Sequence, residues 1–154
     1  MREAQFVAIL LALVLGSLGA RTVGWLGVAY VNSWPSAIAV GLALMFVMTG
    51  VAHFTPGMRR DMIAIVPPRL PSPERLVAVT GVLELLGAVG LLFPPTRVAA
   101  ASCLFLLMLA MFPANIYAAQ MPHTPASMTS NLCVRSVQEV VYLAAAIFVA
   151  VRGG

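Results

Sequence analysis

The chain has no lysine, two histidines and two cysteines, and charged residues make up only 9% of its 154 positions. Each shortage excludes something. Soluble domains carry about 25% charged residues, so this chain cannot cover itself with a water-facing polar surface. All nine basic residues are arginines, set against five acids for a net charge of +4. They are scattered through connecting segments rather than gathered into the basic patch that nucleic-acid binders present, so no DNA or RNA partner is expected. Cys103 and Cys133 form no C-x-x-C, and no Cys/His ligand spacing occurs, which leaves both as small packing residues and predicts no metal site. There is also no Gly-rich phosphate loop, no Ser-His-Asp arrangement, no H-E-x-x-H, no internal repeat and no low-complexity tract.

What is abundant is apolar: 61% of the residues are hydrophobic, and the mean hydropathy is +0.98. A bilayer core about 30 Å thick needs roughly 20 apolar residues per helix. Five stretches meet or approach that length: Ala4 to Ala20, Pro35 to Phe54, Arg75 to Phe93, Arg97 to Ala119 and Leu132 to Val151. Pro35 and Ser36 suit a helix start, and Pro94-Pro95 cannot continue the third helix. The first stretch also fits a secretory signal, but Leu18 makes "SLGA" a poor cleavage site and the apolar character runs on through "TVGWLGVAYV", so a retained helix is expected. The segment 55–74 holds five of the chain's eleven prolines and reads as a stiff connector, not a span.

Arginine placement predicts orientation. With five spans, the side of the N-terminus carries Arg2, Arg59, Arg60, Arg69, Arg75 and Arg135, and the other side Arg21, Arg97 and Arg152. The loop 55–74 is therefore expected to be cytoplasmic, in a multi-pass protein of the inner (plasma) membrane whose first partner is the lipid bilayer.

The informative residues are the polar ones inside apolar runs. Glu84 lies nine residues past Arg75, about 13 Å deep at 1.5 Å per residue, near the midplane. An acid there costs a few kcal/mol, so intramembrane acids face the bundle interior and mark function. Gly81, Glu84, Gly87 and Gly90 recur every three residues, which predicts small residues on the acid's side and a close helix neighbour. Thr49, His53, Asn115, Gln138 and Glu139 all fall in the cytoplasmic half when helix directions alternate. Together they predict a polar vestibule tapering to Glu84, with Pro113 freeing the Leu109 carbonyl beside Asn115, while the outer half offers only residues such as Ser102 and Cys103. The bland readings stay open beside this: a protonated Glu84 donating to a carbonyl, Asn115 as packing glue, His53 as an interfacial residue. Nine methionines, with Met45/Met48 and Met108/Met111 at helical spacing and "MPH" at 121–123, raise a copper site on ligand softness, but Met is a common filler of apolar helices and no third ligand stands at a recognisable spacing.

The stretches "GVAHF", "PPRLPSPERL", "TGVLELLGAVGLLFPPTR" and "MFPANIYAA" together resemble the DoxX-like family of small membrane proteins over about residues 37–151. The resemblance implies an all-α, antiparallel transmembrane four-helix bundle, here with an additional N-terminal transmembrane helix. It divides the chain into residues 1–34, an N-terminal helix or signal anchor with its connector, and a DoxX-like domain over 35–154. It places the family pattern on His53, Gly81, Glu84, Pro113 and Asn115, and more loosely on Arg135 and Gln138. It implies an accessory or assembly subunit of a membrane redox system, with a membrane or soluble oxidoreductase subunit as partner and quinone as the cofactor class. The chain itself offers no flavin, haem or thiol site. A quinone-linked subunit holding a lipophilic ligand and a proton-coupled solute carrier are the alternatives, the latter without visible inverted repeats. Whether the protein is catalytic and whether it forms a homo-oligomer are left open.

Overall fold

The computed structural model describes residues 2–121, 125 and 132–154, and within those segments the side chains from Val7 onward except that of Leu132. Among the described residues there is no strand. The helices are α1 (Arg2–Trp25), α2 (Trp34–Ala52), α3 (Pro56–Ala64), α4 (Pro73–Leu92), α5 (Pro94–Gln120) and α6 (Leu132–Arg152), with a short 3-10 turn at Ala29–Val31 before α2. All but α3 are long and apolar enough to cross a membrane, the make-up of a multi-pass membrane protein.

The prolines set the helix starts. Pro35, Pro73 and Pro94 each sit in the first turn, where the missing N–H would have had no intrahelical acceptor. Ser33 caps α2 by accepting from the Ser36 amide at 3.3 Å. The spans expected from Arg75 and Arg97 thus begin earlier, at Pro73 and Pro94, and only Phe93 separates α4 from α5. The first span is also longer than expected. Arg21 does not end it, because α1 runs on to Trp25, and the guanidinium is accommodated by Asn32 Oδ1 at 2.7 Å and by the rings of Trp25 and Trp34. The connector 55–74 is no span, but its first half coils into α3, which Pro56 opens.

Helix α2 packs against α1, α4 and α6, and α4–α5 and α5–α6 contacts close the ring α2–α4–α5–α6, leaving α1 against α2 from outside. One buried cluster runs through it, including Leu13 of α1, Leu42 and Phe46 of α2, Leu91 of α4, Leu104 of α5 and Val149 of α6. The α1/α2 crossing depends on Gly41, where a Cβ would overlap the Ser17 hydroxyl and the Leu13 carbonyl. Outward faces carry Leu15, Leu86, Leu106, Val140 and Val151 in the open, a surface suited to lipid and far too apolar for water.

The glycine stripe of α4 does not stay on one side. A spacing of three falls 60° short of a full turn on a 3.6-residue helix, so the stripe winds around the axis. Gly81 faces His53 of α2, whereas Gly87 meets Leu104 and Gly90 meets Ala100, both on α5. Only Gly81 shares the acid's neighbour.

Candidate intramembrane site

The last turns of α2 project Thr49 and His53 toward α4, four residues apart and so on one face. Gly81 lets α4 approach: a Cβ there would lie 2.5 Å from His53 Cβ. Glu84 is one turn further on, and both it and His53 are buried, at 4% and 3% exposure. Thr49 Oγ1 donates to Glu84 Oε2 at 2.6 Å, and His53 Nε2 stands 3.4 Å from Glu84 Oε1. On the far side of the ring, His53 Nδ1 lies 2.8 Å from the Val77 carbonyl.

These contacts fix the proton arrangement. A carbonyl only accepts, so Nδ1 carries a hydrogen. Nε2 and Oε1 then face each other, and two bare acceptors would repel. One proton is therefore held between them, either on an imidazolium beside a carboxylate or on a carboxylic acid beside a neutral imidazole. In both forms the dyad is neutral as a unit, which is the economical state for buried ionisable groups. Thr80 adds its hydroxyl beside Nδ1 at 3.3 Å.

Glu84 opens onto a cavity of about 190 Å³. Helix α2 contributes Met45, Phe46, Thr49 and His53 to its wall, and α5 contributes Met108, Met111 and Asn115. Arg135, Gln138, Glu139 and Tyr142 come from α6, with Met62 of α3 and Ile9 of α1 completing the lining. Arg135 is buried and donates from Nη1 to Asn115 Oδ1 at 3.0 Å. The six residues singled out from the sequence, Thr49, His53, Glu84, Asn115, Arg135 and Gln138, thus line one space. Met62 reaches it because α3 folds over the end of α5, where Ile65 and Ala118 are buried with Met58, Met62 and Met121 packed on them.

Sequence reading counted Glu139 toward the vestibule without naming it as a site residue, and left Tyr142 out altogether. Arg135, Gln138, Glu139 and Tyr142 are spaced zero, three, four and seven along α6, one helical face, and that periodicity was the available signal. Glu139 Oε1 is buried with no hydrogen-bond partner among the described residues. No group of three His, Cys, Asp or Glu among the described residues is arranged to hold a metal. Cys103 and Cys133 are exposed, and residues 122–123 of the "MPH" stretch lie outside the described residues.

The opposite end of the helices is not devoid of polar groups, contrary to expectation. Arg97 is buried there at 5% exposure, and it serves the unpaired carbonyls at the end of α4. Its Nε donates to Leu91 O at 3.1 Å and its Nη1 to Ser36 Oγ at 2.9 Å, and its guanidinium lies over the Tyr30 ring. Tyr30 donates to Leu92 O, and Thr96 Oγ1 to Gly90 O at 2.8 Å. Three side chains thus cap three successive carbonyls that the proline break leaves without amide donors. An arginine next to Pro-Pro reads in sequence as a loop residue, so nothing there signalled this role.

A family model described as "Domain of unknown function (DUF8561)" matches residues 42–150, well over half of the chain, and the protein belongs to that family. The matched region begins within α2 and includes every residue of the Glu84 cavity except Ile9. No curated protein and no solved structure matches the chain.

Proposed function

We propose that this member of the DUF8561 family is an integral membrane protein in which α2, α4, α5 and α6 form an antiparallel transmembrane four-helix bundle, with α1 as an additional N-terminal transmembrane helix. The loop 55–74 faces the cytoplasm. Its arginines, Arg59, Arg60 and Arg69, and Arg75 just beyond carry that orientation, and the plasma membrane is the compartment. The protein acts as an accessory or assembly subunit of a membrane redox system and uses the cavity around Glu84 to hold the polar head of a lipophilic molecule. The redox assignment rests on the DoxX-like resemblance of the motifs around His53, Glu84 and Asn115.

The pocket rests on a single observation: the Thr49–Glu84–His53 chain, with Glu84 and His53 buried between α2 and α4, opens onto a mostly apolar space with Asn115, Arg135 and Gln138 converging on it. Few polar groups set in an apolar wall is the usual composition of a small-molecule site. A His–Glu dyad that shares a proton suits a head group that is protonated or deprotonated in place. The quinone/quinol pair is the cofactor class that meets both conditions, gaining two protons when an electron-donating partner subunit reduces it and losing them on reoxidation, which makes a quinone-linked subunit the second reading.

The experiment is a deletion of the gene with complementation by wild type or Glu84→Gln, reading electron transfer from membrane-bound donors to quinone in isolated membranes. Loss on deletion, restored by wild type and not by an equally abundant Glu84→Gln protein, is expected. Unchanged electron transfer in the deletion strain would count against the redox assignment.

A further inference from the structure

Glu139 is an acceptor with nothing to accept from. Its Oε1 is buried and has no hydrogen-bond partner among the described residues, although it lines the same cavity as Glu84. A buried oxygen left unpaired costs free energy that a ligand's donor can recover. We propose that the cavity binds a neutral amphiphile whose head is a single hydroxyl-bearing ring, and that this hydroxyl donates to Glu139. The proposal rests on the ligand-pocket reading above and adds the chemistry of the head group.

Charge selects the neutral class. Four ionisable groups of the spanning helices face the cavity besides Tyr142: Glu84 and His53, which share one proton, and Glu139 and Arg135, an acid and a base one turn apart on α6. An ammonium or a phenolate would bring an uncompensated charge into an apolar helix bundle, which is expensive, whereas a hydroxyl supplies the missing donor at no charge. Size selects one ring. An engineered cavity of about 150 Å³ takes one benzene, and this one, at about 190 Å³, leaves room for one or two small substituents. Phe46, Met45, Met108 and Met111 form soft apolar walls for the faces of such a ring.

The test uses the full chain in detergent micelles, titrated calorimetrically with para-octylphenol, with para-octylanisole, which is its methyl ether and lacks the donor, and with para-octylbenzylammonium. Wild type should bind the phenol about tenfold more tightly than the ether, as a hydrogen bond to a buried carboxylate predicts. Glu139→Leu should bind both equally, while Glu139→Gln, whose amide oxygen still accepts, should keep the preference. Equal binding of phenol and ether by wild type would overturn the role of Glu139 and leave the pocket standing. Tightest binding of the ammonium would overturn the neutral class. If the folded wild-type protein binds none of the three, the pocket reading falls and this inference with it.

Discussion

Thr49 and Glu84 are 35 residues apart in sequence and 2.6 Å apart in space, the hydroxyl of α2 donating to the carboxyl of α4. With His53 on the other carboxyl oxygen, both oxygens of an acid in the middle of α4 are engaged by one neighbouring helix. Glu84→Gln preserves shape and one acceptor for Thr49, and its amide can donate to His53. It is expected to melt, in detergent, within about 1 kcal/mol of wild type. A loss of folded protein would show that ionisation of Glu84 holds the fold.

Glu84→Leu separates the contributions of the two partners. Thr49 can turn back to the Phe46 carbonyl, already within 3.4 Å, but His53 Nε2 loses the carboxyl oxygen it faces. A loss of about 1–3 kcal/mol follows, and it should shrink when His53 is also replaced by Phe. The coupling in this double-mutant cycle is expected to reach about 1 kcal/mol, and additive effects would mean that His53 and Glu84 do not share a proton.

Arg97→Leu removes donors from the Leu91 carbonyl and the Ser36 hydroxyl at a buried position. The expected cost is about 2–4 kcal/mol, from two hydrogen bonds of a charged donor and the acceptors they leave unpaired. Tyr30→Phe, which frees only the Leu92 carbonyl, should cost about 1 kcal/mol. Thermal unfolding monitored by circular dichroism ranks the two, and the reverse order would contradict a capping role for Arg97.

Gly41→Val should part α1 from α2, because the added side chain meets Ser17 and Leu13 across the closest approach of the two helices. Overpacking of this kind costs about 1–3 kcal/mol. Since the α2/α4 contact lies on another face, ligand binding at the Glu84 cavity should persist, and its loss would tie the site to the position of α1.

A cysteine placed at Ser72, in a Cys-free background, should resist a membrane-impermeant maleimide added to intact cells and react after lysis. One placed at Gly154 should label from outside. The opposite pattern would invert the orientation drawn from the arginines.

The sequence alone determined the five apolar helices, because a chain with so few charges must satisfy its backbone internally within lipid. It also put Thr49, His53, Asn115, Gln138 and Glu139 toward one end of the helices with Glu84 further in, since position along a helix follows from counting residues, while Arg135 entered through the family resemblance. What counting cannot supply is azimuth and partner. Which face of α4 met α2 depended on Gly81 admitting His53, and the stripe that looked continuous in sequence wound away to α5 at Gly87 and Gly90. Only the tertiary structure placed Tyr142 in the cavity and turned Arg97 inward as a cap for α4. Both assignments depend on where other helices end, and those long-range contacts are set by packing among segments that composition makes nearly interchangeable.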